Sequence, residues 1–233
     1  MAGQVVHLKS IGNVAFNPNR RSKSIRLSVK PDKTVMVSYP YHVSEKEVLA
    51  FISKHADWIK ESREKMQQKA RKICFGDEIK TNLHTIIIKK GNEKGAKSNG
   101  STVSIFIDDI EHESATMFIE KVLEEVYRFE AKKLLPQRLL QLANLHQFKV
   151  NKISIRNNKR NWGSCSSQNN ISLNLQMMKL PDELIDYILL HELVHTEEKN
   201  HGPKFWKRLD EITQNRAKEL AKEVKKYSTY TLS

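Results

Sequence analysis

Two histidines four residues apart, with a glutamate beside the first, carry the strongest chemical signal in the chain: His191-Glu192-Leu193-Val194-His195. On a helix, residues i and i+4 project from one face about one turn apart. That spacing lets both imidazoles reach one Zn²⁺ at about 2.0–2.1 Å. Glu192 is rotated by about 100° from His191. It can lean over the open side of the metal without binding it and accept a proton from water activated there. A third ligand is required. His201 is the best candidate, because Gly202-Pro203 beside it favour a sharp turn back toward the metal. Glu197, Glu198 and Asp210 compete for the same role. Three neutral histidines would leave the ion its full charge and lower the pKa of its water to about 7, from about 15.7 in bulk.

These residues need a helix and a sheet to hold them. Pro181 suits the first turn of a helix, and Asp182 and Glu183 follow where the dipole favours acids. Leu184, Ile185, Ile188 and Leu189 form its apolar body, and Phe205, Trp206, Leu209 and Ile212 mark a further helix. Upstream, residues 150–156 and 170–176 read as short strands through Ile153, Ile155, Ile171, Leu173 and Leu175, with a turn-rich connection between them. A long helix is expected from Ser114, with Phe118, Val122, Val126 and Phe129 as its stripe and an interruption at Pro136. Residues 84–90 and 102–107 read as a hairpin, and the stretch between them, 91–101, as a mobile loop. Near the start, Ile25, Leu27 and Val29 alternate, as do Val35, Val37 and Tyr39, around a turn at Pro31-Asp32-Lys33. Arg26 and Lys30 fall on the outer face of that hairpin. Ser44 and Glu47 form a capping box opening a helix to about Arg71, with Val48, Ile52, Ala56 and Ile59 as its stripe, widened by Leu49 and Trp58. Its far end, from Arg63 to Lys72, is expected in solvent, and the C-terminal tail is expected to be helical, polar and basic. No internal repeat of fixed period is visible.

Together, Arg160-Asn161-Trp162-Gly163-Ser164-Cys165, the strand Ile171 to Leu175, Pro181, Ile185-Asp186-Tyr187-Ile188, the His191 to His195 motif, Asn200-His201 and Phe205-Trp206 closely resemble the YgjP-like metallopeptidase family. That family is similar to the SprT-like and WLM zinc proteases. The run from Arg20 to Leu27 and Trp58-Ile59 also resemble it, so the likeness spans nearly the whole chain. The resemblance implies His191, His195 and His201 as ligands and Glu192 as the catalytic acid/base. It implies no particular substrate. Thr196-Glu197-Glu198 is more acidic than the family pattern, which bears on substrate contacts rather than on the metal.

Other residues near these motifs are open to functional and structural readings. Arg160 is an oxyanion donor or a solvated loop residue. Trp162 and Ser164 shape a cleft wall. Cys165 is a fourth ligand, a thiol that blocks the metal, or a small half-buried side chain. Tyr187, one turn before His191, bonds near the site or is a core tyrosine. The strand 170–176 pairs with extended peptide or is core, and core is favoured for its three aliphatic residues. Asp186, Asn169 and Asn174 are candidates to hold the ligands' free ring N–H groups. The remaining histidines lack ligand spacing.

The chain has 233 residues, enough for one or two domains. A division is expected into residues 1–110, a β-hairpin and helix region, and 111–233, a zincin-like catalytic region, joined as one integrated unit. The fold class expected is α+β and zincin-like, with the metal helix packed on a small sheet. Hydrophobic residues at 39% exclude an extended disordered chain. No apolar run approaches the ~20 residues of a membrane span. The first residues lack the plan of a signal peptide, and two cysteines suit a reducing compartment, so the cytoplasm is expected. The net charge is +13, of which residues 1–72 carry +9 and residues 151–233 only +4. The expected function is a zinc-dependent cytosolic metallopeptidase acting on a peptide or protein. One alternative is a zinc-dependent nucleotide or phosphoester hydrolase, weakened by the lack of a second metal cluster or a Gly-rich phosphate loop. Another is a nucleic-acid-associated protease or binding module using the basic N-terminal region, weakened by the lack of a zinc finger or helix-turn-helix.

Overall fold

The computed structural model describes residues 5–8, 11–29, 34–69 and 73–232. They fall into two compact units, residues 1–71 and 72–233.

The first unit is a four-stranded sheet with two helices: β1 (Val5–Leu8), β2 (Gly12–Pro18), β3 (Arg26–Val29), β4 (Val35–Tyr39), α1 (Glu45–Lys54) and α2 (Ala56–Lys69). The sheet order is β1-β2-β4-β3. The alternating residues around 25–39 pair antiparallel as expected, with Leu27 opposite Val37. The expected turn at Pro31-Asp32-Lys33, and Lys30 before it, lie outside the described residues. β4 is not an edge, however. β2 runs parallel along its other side, which leaves Val35 and Val37 wholly buried. Alternation could not reveal β2, because Val14, Ala15 and Phe16 are buried consecutively. The capping box is present: Ser44 N–H donates to Glu47 Oε2 at 2.9 Å, and Glu47 N–H donates to Ser44 Oγ at 3.3 Å. The expected single helix is two, broken at His55, whose ring lies 2.8 Å from the Phe51 carbonyl. Trp58 is exposed rather than part of the stripe, which is Val48, Ile52 and Ile59. Most of the expected solvent-facing end, from residue 65 on, lies outside the described side chains.

The second unit opens with the same strand pattern. β5 (Glu78–Lys80), β6 (Thr85–Lys90), β7 (Gly95–Asn99) and β8 (Thr102–Ile107) are ordered β5-β6-β8-β7. The two segments expected to form a hairpin are therefore parallel neighbours, with Ile86 beside Val103 and Ile88 beside Ile105. Parallel strands need a crossover, and the stretch expected as a mobile loop supplies it. β7 within it pairs antiparallel with β8 across Gly100, whose φ of +58° suits a residue without Cβ.

Next comes α3 (Glu113–His146), which runs through Pro136 without ending. Its buried stripe is Ala115, Ile119, Leu123, Tyr127, Ala131, Leu135, Leu139 and Ala143, one position off the expected one, and Phe129 is exposed. Ile86, Ile88, Val103, Ile105 and Ile107 share one core with that stripe. The expected boundary at 110/111 therefore falls inside this unit. Fully buried Glu130 ties α3 to the β5–β6 turn, accepting from the N–H groups of Asn82 and Leu83, both at 3.2 Å.

A three-stranded sheet follows, in the order β10-β11-β9, from β9 (Lys152–Arg156), β10 (Gly163–Cys165) and β11 (Asn170–Asn174). β11 is central, parallel to β9 and antiparallel to β10, and its Ile171 and Leu173 are core. Residues 175–179 form a 3₁₀ turn instead of prolonging the strand. α4 (Asp182–Val194) packs against α3, β10, α5 (Pro203–Ile212) and α6 (Ala217–Val224). The fold class is α+β, with the motif-bearing helix beside a small sheet, as expected. After α6 the tail is not helical: Thr229 Oγ1 donates to the Lys159 carbonyl at 2.8 Å, and Gln176 Nε2 donates to Thr231 Oγ1 at 2.9 Å. No helix among the described residues is long and apolar enough to cross a membrane.

Candidate metal centre

α4 ends where its chemistry lies. Val194 is its last residue and His195 its C-cap, so Glu197 and Glu198 lie beyond the helix. The chain reverses there, and Gly202 caps α5 with Pro203 in its first turn. His201 is thereby returned to His191 and His195. The Nε2 of His201 lies 3.0 Å from that of His191 and 3.2 Å from that of His195. Two nitrogens bound tetrahedrally at about 2.05 Å to one ion stand about 3.3 Å apart, so the cluster fits a shared metal. Among the described residues, these three histidines are the group able to hold one.

Protonation supports the fit. Burial, followed by the neighbouring imidazoles, lowers the pKa of His191 to about 3. Burial lowers that of His195 as well. Both rings are neutral at pH 7, the form a metal needs. His195 Nδ1 lies 3.0 Å from the Glu198 carbonyl, which places the proton on Nδ1 and the lone pair on Nε2. A main-chain carbonyl holds that ring, then, and none of the side chains expected to. Asp186 pairs with Arg138, Asn174 Nδ2 donates to the Asn161 carbonyl at 2.9 Å, and Asn169 accepts from Lys199. The competing acids are also engaged elsewhere: Glu197 with Arg208 at 3.4 Å, and Asp210 with the Ala217 N–H at 3.2 Å.

Phe205 was legible as a helix residue and not as part of the centre. It is fully buried, and its ring centroid lies 4.9, 4.6 and 4.7 Å from those of His191, His195 and His201. It forms a common floor for the three rings. Phe205→Ala is expected to cost about 3–5 kcal/mol of stability. Phe205→Leu, which keeps most of the volume, is expected to fold and to hold metal about 10-fold more weakly, as loss of a ligand's support does. Thermal melts and a competitive metal titration check both.

Glu192 is 5% exposed, and burial pushes its pKa up to about 8. Its Oε2 has no partner among the described residues. The carboxyl lies against Gly163 of β10, where a Cβ would meet Glu192 Cγ at 2.7 Å and Oε1 at 2.8 Å.

These groups border a cleft of about 540 Å³, which also takes in Trp162, Ser164, Cys165 and Tyr187. Tyr187 is 5% exposed, and burial raises its hydroxyl pKa to about 12. Cys165 is outside the histidine cluster. Its Sγ donates to the Ser166 carbonyl at 3.5 Å and lies 4.0 Å from Lys199 Nζ, and burial raises its pKa. Arg160 does not line the cleft; its backbone N–H donates to Asn158 Oδ1 at 2.9 Å. α6 supplies residues to the cleft that sequence patterning read only as a helical tail, among them Ala221 and Val224.

Comparison with curated proteins gives no match. Two solved structures are similar over 40% of this chain and 94% of theirs. One is the metallopeptidase zymogen of Pyrococcus abyssi abylysin, at 24% identity and a TM-score of 0.36. The other is the metallopeptidase zymogen of Methanocaldococcus jannaschii jannalysin, at 26% identity and a TM-score of 0.36. The YgjP-like metallopeptidase domain matches residues 23–227, and the chain therefore belongs to the YgjP-like family of metallopeptidases, which implies a metal cofactor.

Proposed function

We propose that this chain hydrolyses peptide bonds in cytoplasmic peptides or proteins, with Zn²⁺ held by His191, His195 and His201 and with Glu192 as the acid/base. The observation that carries this reading is the convergence of three ring nitrogens beside a buried carboxyl on one cleft. Zinc suits an all-nitrogen, three-protein-ligand site and supplies a Lewis acid that polarises a carbonyl and makes water a nucleophile near neutral pH. Glu192, as carboxylate, takes a proton from the attacking water and hands it to the leaving amide nitrogen.

β10 offers a track for the substrate. The Trp162 carbonyl accepts from Asn174 N–H at 2.8 Å, and Ser166 N–H donates to the Asn170 carbonyl at 2.9 Å. The antiparallel pattern then spends the main-chain groups of residues 162, 164 and 166 on β11 and turns those of Gly163 and Cys165 outward. Asn161 Nδ2 occupies the Gly163 carbonyl at 2.9 Å. Among the described residues, Gly163 N–H and both groups of Cys165 remain for an extended peptide. Cys74 and Cys165 are both free thiols, in keeping with a reducing compartment.

The purified chain is expected to bind about one zinc and to cleave unfolded proteins. Chelation is expected to remove at least about 1000-fold of that activity, and zinc to restore it. Metal analysis combined with a proteome-wide cleavage comparison checks this; cleavage that survives metal removal overturns it.

A second reading, hydrolysis of a nucleotide or other phosphoester, draws on Lys199 and Lys225 at the same cleft. Turnover of nucleotides without cleavage of unfolded protein selects it. Association with nucleic acid draws on Arg20, Arg21, Lys23 and Arg26, all exposed in the first unit. Salt-dependent DNA binding, lost on charge reversal of these residues, tests that role.

A further inference from the structure

We propose that α6 and the first half of the motif-bearing helix form a side-chain pocket, which selects peptides carrying an apolar residue, of leucine to phenylalanine size, next to the scissile bond. This rests on the peptide-hydrolysis reading and names the substrate class it acts on.

The residues that α4 and its C-cap give to the cleft are Tyr187, Ile188, His191, Glu192 and His195. They recur at i, i+1, i+4, i+5 and i+8, so one helical face carries them all. The face divides chemically. The half at 191–195 holds the ring nitrogens and the carboxyl. The half at 187–188 is an aromatic ring and an aliphatic chain. One turn, about 5.4 Å, separates them. Adjacent Cα atoms of a bound peptide stand about 3.8 Å apart, so the side chain flanking a bond held at the histidines reaches that far.

α6 and the turn after it bring Ala221, Val224 and Tyr227 to the same cleft. Ala221 and Val224 are i and i+3 and share a face. The walls are packed into the protein, with Tyr187 at 5%, Ile188 at 4% and Val224 at 8% exposure. Tyr227, 39% exposed, stands at the solvent rim of the cleft. These five residues bring no formal charge at pH 7. A charged side chain placed among them would lose its water, and at the cleft only an acidic one could find a cation in exchange, at Lys225 or Lys199. An apolar one gains by leaving water. At 540 Å³ the cleft has space for such a side chain beside the reacting bond.

The test uses the zinc-loaded full chain and a synthetic peptide library randomised around a sequence it cleaves. Peptides with leucine, methionine or phenylalanine at one flanking position are expected to exceed their alanine counterparts in kcat/KM by about 10- to 100-fold. The same peptides, bound without turnover to zinc-loaded Glu192→Gln, are expected to rank in the same order by fluorescence titration. Ala221→Phe, at a half-buried position, fills the pocket and should cut the leucine-over-alanine ratio by about 10-fold. Tyr227→Ala, at the exposed rim, should lower the same ratio without depending on a core substitution. Cleavage of peptides with no apolar preference, or a ratio unmoved in both variants, overturns the pocket while leaving peptide hydrolysis standing. A chain that binds zinc yet neither cleaves nor binds any peptide overturns both.

Discussion

Glu192→Gln is expected to retain zinc and lose about 10³- to 10⁴-fold in kcat on any peptide the wild type cleaves. Glutamine has the same length and fits the same space against Gly163. The substitution breaks no internal bond at Oε2, which has no partner among the described residues. The histidine cluster is untouched, so metal stoichiometry should stay near that of wild type. What disappears is the capacity to accept a proton. The metal-free chain offers a readout independent of turnover. With its carboxyl at about 8, Glu192 keeps a proton in the native state that the unfolded chain releases near the ordinary value of 4.5. The native state then binds more protons across that interval, so this group's contribution to stability is full below about 4.5 and is lost as pH rises through about 8. His191, with its pKa lowered to about 3, acts oppositely between about 3 and 6.5. The interval from pH 6.5 to 8 therefore separates Glu192 from His191, and Lys179, lowered by burial to about 8, acts oppositely at its upper end in wild type and variant alike. Wild-type apoprotein should lose stability across it, and Glu192→Gln should show a flatter profile in denaturant melts. Turnover retained by Glu192→Gln sinks the acid/base role.

The histidine pair was legible because its geometry is local: i and i+4 on a helix share a face whatever surrounds them. His201 was nearly so, since Gly202-Pro203 announces the turn that returns it. The other features of the centre are set by packing between elements, which periodicity does not encode. Phe205 reads as one more apolar helix residue until α5 is laid under the three rings. Ala221, Val224 and Tyr227 read as a helical tail until α6 is placed beside the cleft. The ring of His195 is held by a main-chain carbonyl, and since every residue has one, no side-chain type could point to Glu198. The same limit applies to the sheets. Alternation sorts Val103, Ile105 and Ile107 onto one face of residues 102–107, but it says nothing about which strand runs beside which, or in what direction. β7 escaped notice because Gly95 to Asn99 carries no apolar alternation at all. The α3 stripe was misplaced by one position because Phe118, Val122 and Val126 flank the buried line and are themselves half-buried.

Gly163→Ala is expected to lower kcat by about 10- to 100-fold, with metal binding and KM little changed. The glycine is not there for backbone freedom, since the left-handed glycines of the described chain are Gly12, Gly76 and Gly100. It is there for clearance. An alanine Cβ would stand 2.7 Å from Glu192 Cγ, 2.8 Å from Oε1 and 2.9 Å from Cδ, nearer than carbon and oxygen atoms approach without strain. Something must move, and the neighbours decide what. β10 is bonded along β11, with Gly163 opposite Leu173, and β11 is buried at the centre of its sheet. The end of the Glu192 side chain turns about single bonds and has no bond at Oε2 to hold it. The carboxyl therefore swings away while the strand stays. A displacement of about 1 Å at a reacting group costs up to about 100-fold in rate, and no ligand nitrogen is involved, so zinc should remain. Glu192→Ala removes Cγ, Cδ and both oxygens, and with them the atoms an added Cβ would meet, and should be severely impaired alone. In that background Gly163→Ala should lower the residual rate much less than it lowers the wild-type rate, because the atoms it would strike have gone. Steady-state kinetics of the two single variants and the double variant, with metal analysis of each, closes the cycle. Full additivity, or zinc lost from Gly163→Ala, would show that the glycine serves the fold and not the carboxyl.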